Sequence, residues 1–142
     1  MLDKKIYFAG SIRGGRDDAK SYERLISWLQ NHAIVLTEHV GENNLDANGE
    51  ATDDRFIHNR DMQWLYDSDL VIAEVSTPSL GVGYELGRAL DAGKPVIALW
   101  RESPERKLSA MIAGCEDIQV IEYSQIEDLL PRLGQLLALL LA

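Results

Sequence analysis

The chain has 142 residues, 46% of them hydrophobic, and carries 23 acidic against 14 basic side chains, for a formal net charge of −9. This balance argues against polymeric nucleic acid or an anionic membrane as a general partner, although a small anion can bind where positive groups are concentrated. The single cysteine, Cys115, excludes an internal disulfide and is typical of a reducing cytosol. Because strand-like residues begin by Lys5, no secretory signal is expected, and we predict one cytoplasmic domain over residues 1–142.

Strand-like and helical runs alternate along the first half of the chain. Strand one is predicted at residues 6–9, and Asp17 or Asp18 is expected to cap the helix that follows. Strand two is predicted at residues 33–37. Residues 38–54 are rich in Gly, Asn and Asp and have no periodicity, which predicts a long loop.

The second half repeats the alternation. A helix is predicted at about 54–67, and the near-continuous apolar runs 70–75 and 95–100 are typical of strands covered on both faces. Gly93 is a C-cap signal for the helix between these strands, and Ser124 is expected to cap a last helix after strand five at 118–123. The pattern predicts an α/β fold, a three-layer sandwich around a five-stranded parallel sheet, and we favour the flavodoxin-like order 2-1-3-4-5.

The stretch 76–87, STPSLGVGYELG, is a predicted strand-to-turn-to-helix junction. Gly81 and Gly83 let the backbone adopt positive φ or approach a ligand, and Ser79 offers a hydroxyl. Glu85 is expected in the first helical turn, where the helix dipole favours its ionised form. Taken alone, the stretch is also explained as a tight turn with a dipole-complementing Glu.

The loop at 10–16, GSIRGGR, is rich in glycine and locally basic. It can bind an anion through backbone N–H groups, the Ser11 hydroxyl, Arg13 and Arg16. It has neither the lysine of a P-loop nor the G-x-G-x-x-G order, so it indicates a single phosphate. In the favoured strand order this loop lies beside the 76–87 turn at the switch point of the sheet.

Asp61 interrupts an apolar helical stripe formed by Ile57 and Leu65. A carboxylate there must be paired or face a cavity, so three interpretations stay open: a solvated residue at the edge of the stripe, a buried ion pair and a functional acid. Together with Glu85 it forms a pair of acids near a phosphate site, which suggests glycosidic-bond chemistry: one acid stabilises or attacks the anomeric carbon and the other handles protons. Tyr7 either orients one of these carboxylates or is ordinary core.

The three histidines, His32, His39 and His58, have no zinc spacing, and no Cys-x-x-Cys is present. These residues therefore indicate no zinc site. His39 follows strand two and is either a residue at the rim of the site or a solvated loop residue.

Four ordered segments carry a family resemblance: KIYFAGSIRGGR at 5–16, VLTEHV at 35–40, SLGVGYELGR at 79–88 and LSAMI at 108–112. With the spacing from Asp61 to Glu85, they make the chain resemble the 2'-deoxynucleoside 5'-phosphate N-hydrolases, a branch of the nucleoside 2-deoxyribosyltransferase superfamily. The resemblance covers nearly the whole chain and is weakest at residues 41–54.

This resemblance implies hydrolysis of the N-glycosidic bond of a deoxynucleoside monophosphate to a free base and 2-deoxyribose 5-phosphate, without metal or organic cofactor. It implies that Glu85 is the nucleophile and that Tyr7 and Asp61 assist. It also implies phosphate binding by serines, with Ser109 arriving from the second subunit of a homodimer. The expected binding set is Gly10, Ser11, Ile12, Arg13, Gly14, Gly15, Arg16, His39, Ser79, Gly81, Ser109, Ala110 and Met111.

Three alternatives stay open. A deoxyribosyltransferase shares the Tyr, Asp and Glu set, but the serine-rich, arginine-flanked phosphate site favours a monophosphate and hence the hydrolase. A ribonucleotide N-hydrolase is a further variant that the motifs leave open. A non-catalytic nucleotide sensor would need the phosphate site but not the two acids Asp61 and Glu85.

Overall fold

Five parallel strands form one sheet in the order β2-β1-β3-β4-β5, which confirms the predicted topology. The computed structural model describes residues 3–12, 16–39 and 53–142. The elements in chain order are β1 Lys5–Gly10, α1 Arg16–Gln30, β2 Ile34–Leu36, α2 Asp54–Asp67, β3 Leu70–Glu74, α3 Leu80–Asp91, β4 Val96–Arg101, α4 Ala110–Ala113, β5 Ile118–Tyr123 and α5 Ile126–Leu140.

Each face of the sheet has its own apolar core. One core lies under α1 and α5 and includes Phe8 and Leu25, and the other lies under α2 and α3 and includes Tyr7 and Leu65. Successive side chains of a strand point to opposite faces, so Tyr7 and its neighbour Phe8 enter different cores. This alternation brings the Tyr7 hydroxyl to the α2/α3 side.

The register of the central strands fixes where functional groups meet. Gly10 of β1 lies opposite Glu74 of β3, so the carboxyl ends of these two strands coincide. The loop after β1 and the turn after β3 therefore start side by side. Thr77 Oγ1 of that turn donates to Asp18 Oδ2 of α1 at 2.5 Å, so the turn also contacts the helix that follows the loop.

Two predicted caps are wrong and one is confirmed. Helix α1 begins at Arg16, so Asp17 and Asp18 lie inside its first turn. The N-cap of α5 is Gln125 rather than Ser124, because the Ser124 hydroxyl instead donates to Glu102 Oε2 at 2.9 Å. Gly93 follows α3 with φ of 74°, as the C-cap signal predicts.

The predicted long loop is described only at its two ends. Glu38 and His39 follow β2, and Asp53 caps α2 by accepting from Phe56 N at 2.9 Å. Residues 40–52 lie outside the described part of the chain, as do Arg13, Gly14 and Gly15. No helix among the described residues is long and apolar enough to cross a membrane.

Candidate active site

A tyrosine and a glutamate from different elements meet at the carboxyl edge of the sheet. Tyr7 of β1 is 1% exposed, and its hydroxyl donates a hydrogen bond to Glu85 Oε2 on α3. The contact joins residues 78 positions apart and depends on strand alternation in β1. It confirms that Tyr7 can orient a carboxylate, as predicted.

Glu85 lies one turn further into α3 than predicted. The Ser79 hydroxyl accepts from Val82 N at 3.3 Å and caps a helix that starts at Leu80, so the first-turn position of Glu85 is wrong. Gly81 and Gly83 are consequently helical, and among the described residues Gly93 alone has positive φ. A Cβ at Gly83 would meet nothing within 4 Å, so this glycine leaves open space on the helix surface.

Asp61 is 4% exposed on the inward side of α2. Both Nε and an Nη of Arg60 lie 3.0 Å from its Oδ1, so the buried ion pair exists. A guanidinium in this position favours the charged form of the carboxylate. The pairing does not remove Asp61 from the site, because its carboxylate also belongs to the acidic cluster around Glu85.

Three carboxylates form that acidic cluster: Glu38, Asp61 and Glu85 each have an oxygen within 4.8 Å of the others. Glu38 is absent from the predicted set, although the TEH triplet after strand two lies inside one of the segments that carry the resemblance. Among the described residues, this cluster alone has ligand spacing that could hold a cation. Three acids this close also cannot all ionise without strong repulsion.

The electrostatics of the acidic cluster follow from burial. Loss of solvent raises the pKa of Glu85 to about 7; the Tyr7 hydrogen bond works against this rise and the nearby Glu38 charge adds to it. Burial, followed by the Glu85 charge, raises the pKa of Tyr7 far above its usual range. Tyr7 therefore remains a neutral donor, while Glu85 titrates near neutrality.

His39 is buried, at 8% exposure, so the solvated-loop alternative is wrong. Its Nε2 lies 3.1 Å from the Gly10 carbonyl oxygen, to which it donates, and its ring packs edge-on against Phe8 and Tyr22 with centroids 6.0 and 5.0 Å apart. A small cavity of about 10 Å³ adjoins it, lined by Tyr7, Phe8, Ala9, Gly10, Ile12, Glu38, His39 and Glu85. His39 thus lies at the rim of the site and braces the end of β1.

The predicted phosphate loop is described in part. Ser11 is buried and Ile12 is half exposed, at 6% and 52%. The side chain of Arg16, the first residue of α1, is outside the description, as is the whole of Arg13. The start of the loop at Gly10 and Ile12 lines the same small cavity as Glu85.

Ser79 and Ser109 line a second, larger cavity. Both serines cap helices, since the Ser109 hydroxyl accepts from Met111 N at 3.3 Å. The groove between α3 and α4 has a volume of about 780 Å³ and is lined mainly by apolar residues, Ala110 and Met111 included. Within one chain, then, Ser109 lies on this groove, whereas Tyr7 and Glu85 lie on the small cavity.

A buried network below the turn after β3 was not predicted. Glu74, 2% exposed, accepts from Ser76 N at 2.7 Å, from Ser76 Oγ at 2.9 Å and from the Tyr123 hydroxyl. Arg101 N donates to Ser76 Oγ at 2.8 Å, and Arg101 also pairs with Asp18 at 2.9 Å. In the sequence, Glu74 is a charged residue at the end of an apolar strand. That position was the signal from which a buried polar network could have been predicted.

Comparisons with known proteins agree with this geometry. Residues 6–126 match the sequence profile of the family described as nucleoside 2-deoxyribosyltransferase. The 5-hydroxymethyl-dUMP N-hydrolase of Tetraodon nigroviridis is 59% identical over 128 residues, which cover 87% of this chain and 90% of that protein. A putative 2'-deoxynucleoside 5'-phosphate N-hydrolase of Nematostella vectensis is 54% identical over 91% and 92% of the two chains.

Solved structures show the same fold. A CMP N-glycosidase of Clostridium botulinum superposes with a TM-score of 0.71, covering 93% of this chain and 99% of that one, at 23% sequence identity. At this identity the likeness concerns the fold, which matches the order of strands and helices described above.

Proposed function

The chain belongs to the nucleoside 2-deoxyribosyltransferase family, and from this premise we propose that it hydrolyses the N-glycosidic bond of 2'-deoxynucleoside 5'-monophosphates. The products are a free base and 2-deoxy-D-ribose 5-phosphate. The observation that carries the proposal is the partly buried Glu85 carboxylate, which accepts a hydrogen bond from the Tyr7 hydroxyl within a cluster of acids. Relatives more than 50% identical over most of the chain are named as N-hydrolases of such nucleotides, which supports the same substrate class.

In the proposed reaction, ionised Glu85 attacks the anomeric carbon from the face opposite the base. The bond to the base breaks with its electron pair, and the base takes up one proton from water, which the water that later cleaves the glycosyl-enzyme replaces. A 2-deoxy sugar lacks the electron-withdrawing 2'-hydroxyl, so positive charge develops at the anomeric carbon more readily. Buried carboxylates stabilise that charge strongly. Water then cleaves the glycosyl-enzyme, with overall retention.

Tyr7 and Asp61 support Glu85 in different ways. The Tyr7 hydroxyl fixes one Glu85 oxygen and favours its charged form. Asp61, paired with Arg60, supplies a fixed negative charge beside the reacting carbon. No metal or organic cofactor takes part in this scheme.

The 5'-phosphate is proposed to bind Ser11, Ser79, Arg13 and Arg16 together with the N–H groups of the 10–16 loop. A bare nucleoside would leave these groups unpaired, which costs roughly tenfold or more in specificity. We also propose the reducing cytosol as its compartment, consistent with its single cysteine.

A homodimer completes the proposed site, with Ser109 reaching the phosphate of the neighbouring subunit. Support comes from the apolar groove on which Ser109 lies and from two exposed side chains beside it, Leu80 at 96% and Met111 at 84% exposure. Such a surface is typical of an interface. Mixing Glu85→Ala with Ser109→Ala subunits should restore part of the activity, because one site of each heterodimer has neither defect. No recovery despite proven subunit exchange would contradict a shared site.

The deciding experiment measures base release by chromatography from deoxynucleoside monophosphates, ribonucleoside monophosphates and bare deoxynucleosides. We expect release from the first group, weaker release from ribonucleotides and little from bare nucleosides. A second base is added in parallel reactions. Formation of a new nucleoside, or equal efficiency on nucleosides and monophosphates, would favour the deoxyribosyltransferase alternative, and binding without turnover would favour the sensor.

A further inference from the structure

We propose that Asp18 is a positioning residue for the 5'-phosphate site: it fixes the turn that carries Ser79 against the helix that follows the 10–16 loop. This role rests on the hydrolysis proposed above, because the loop and Ser79 belong to its phosphate site. The sequence predicts Asp18 as one of two possible caps of α1. In the structure it lies inside the first turn of that helix and is buried, and its side chain contacts other elements instead.

Asp18 accepts hydrogen bonds from two different elements. Thr77 Oγ1, in the turn after β3, donates to Asp18 Oδ2 at 2.5 Å, and Arg101 Nη2, at the end of β4, donates to Asp18 Oδ1 at 2.9 Å. Burial raises the pKa of Asp18, but these two partners outweigh burial and hold the pKa below its ordinary value. Asp18 is therefore an ionised carboxylate with a donor on each oxygen, which fixes its orientation.

Helix α1 is itself fixed to the start of the 10–16 loop. Tyr22 follows Asp18 by four residues and so lies on the same face of the helix. It is 2% exposed, and a Cβ at Gly10 would lie 3.1 Å from its ring, so the ring packs directly against the backbone at the end of β1. Two residues one turn apart on α1 therefore reach both segments of the proposed phosphate site, Tyr22 at the loop and Asp18 at the turn after β3.

The turn after β3 is also held from β4 and from the segment that follows it. Arg101 N donates to Ser76 Oγ at 2.8 Å, and Arg106 Nη1 donates to the Ser76 carbonyl oxygen at 3.1 Å. The bond from Thr77 to Asp18 holds the same turn to α1. Since Ser79 follows Thr77 by two residues, a shift of Thr77 relative to α1 would move Ser79 relative to the loop. A misplacement of about 1 Å in a binding group is enough to cost a large factor in rate.

The charge of Asp18 by itself would have the opposite effect on binding. A carboxylate near a phosphate repels it, and the Arg101 guanidinium at 2.9 Å offsets that charge. A role through charge and a role through position therefore predict changes of opposite sign when the carboxylate is removed. Substitutions of Asp18 and of its partner Thr77 can distinguish the two roles.

The test measures binding of 5-hydroxymethyl-dUMP and of its nucleoside, 5-hydroxymethyl-2'-deoxyuridine, by calorimetry in a Glu85→Gln background that blocks turnover. We expect Thr77→Val to weaken nucleotide binding by about tenfold, because it removes the donor and keeps the shape of the side chain. Asp18→Ala should weaken nucleotide binding by a similar factor. Binding of the nucleoside should change by less than about twofold in both variants. Thr77→Ser keeps the hydroxyl and should bind the nucleotide as the parent protein does.

A double variant and two controls separate the outcomes. If Asp18 and Thr77 act through their shared hydrogen bond, Asp18→Ala combined with Thr77→Val should lose about as much affinity as one single variant. Asp117→Asn and Glu116→Gln remove exposed acids just before β5, at the amino edge of the strands, and should retain the parent affinity. Thermal unfolding verifies that each variant is folded. A merely structural role would lower Tm and leave the ratio of nucleotide to nucleoside affinity unchanged.

Four results would overturn the assignment of Asp18: unchanged nucleotide affinity in folded Thr77→Val, tighter nucleotide binding in Asp18→Ala, equal losses for nucleotide and nucleoside, and losses that multiply in the double variant. If wild-type protein binds the nucleotide but releases no base, the proposed hydrolysis fails, while the affinities still decide the role of Asp18. The two failures are thus distinguishable.

Discussion

Two glutamates lie at the carboxyl edge of the same sheet, Glu74 buried and Glu85 partly buried, and each accepts a hydrogen bond from a tyrosine hydroxyl. Glu74 accepts from Tyr123 and also from the backbone and side chain of Ser76. Glu85 accepts from Tyr7, which is its one hydrogen-bond donor among the described residues, and it lies beside two other acids. The first carboxylate is surrounded by donors, whereas the second is surrounded by negative charge.

This difference separates a structural acid from a reactive one. Burial raises the pKa of both, but hydrogen bonds from Tyr123 and Ser76 oppose that rise at Glu74, while at Glu85 the Tyr7 bond is opposed by the charge of Glu38. Donors that satisfy every lone pair hold a carboxylate in place, whereas an under-satisfied carboxylate near neutrality is available for chemistry. Loss of solvent alone would not distinguish the structural Glu74 from the reactive Glu85, because it raises the pKa of both.

The largest effect should come from Glu85→Gln. Without a carboxylate there is no nucleophile and no charge to stabilise the anomeric carbon, so kcat should fall by roughly 10³-fold or more. Base release from 5-hydroxymethyl-dUMP measures it, with Glu116→Gln as the matched control. Near-normal turnover in a folded Glu85→Gln protein would exclude the proposed mechanism.

Tyr7→Phe tests the orienting hydroxyl. In wild type, kcat/KM should rise with pH through about 7, because Glu85 must lose its proton to attack. The Tyr7 bond favours ionised Glu85, so its removal should shift this rise to higher pH and reduce the plateau rate by about 10–100-fold. Full pH profiles of kcat/KM provide the measurement, and Tyr66→Phe on the exposed face of α2 is the control. If the pH profile of kcat/KM is the same in Tyr7→Phe as in wild type, Tyr7 contributes core packing and does not orient Glu85.

Glu74→Ala should chiefly affect stability. It leaves the Tyr123 hydroxyl and both Ser76 donors without their acceptor, and buried unsatisfied donors are costly, so Tm should fall by about 5 °C or more. Tyr123→Phe removes one of these groups and should cost less. Calorimetry at pH 8 ranks the variants, and an unchanged Tm for Glu74→Ala would show that the network contributes little.

Glu85→Gln should affect stability in the opposite direction. The Glu85 pKa is raised from 4.5 to about 7 on folding, so wild type loses stability as pH increases through this range and the Gln variant does not. At pH 8 the variant should melt higher by about 2–5 °C, and at pH 4 the two should nearly coincide. A difference that does not depend on pH would contradict the raised pKa.

The strand order could be predicted because apolar runs and turn glycines are local signals that a parallel sheet assembles in few ways. For Tyr7 the sequence predicted a bond to one of two carboxylates or ordinary core packing, and the structure identifies Glu85 as the acceptor. Glu38 could not be placed from its pattern, since a lone acid after a strand is ordinary and its partners come from α2 and α3. The depth of Glu85 in its helix depended on Ser79 acting as the cap, which moved the helix start to Leu80. A side-chain cap of this kind can move the start of a helix by a turn, and the sequence gives only a weak signal for which serine acts as the cap.

The alternation of Tyr7 and Phe8 in β1 has a consequence for quality control of the enzyme. If β1 paired one residue out of register, Phe8 would face Glu85 and Tyr7 would enter the core beneath α1, where Phe8 now packs against Tyr22 and His39. Such a molecule would lose both the packing of Phe8 against Tyr22 and His39 and the Tyr7 hydroxyl that orients Glu85. A chain with this register error would therefore lose its activity and part of its core packing in the same step.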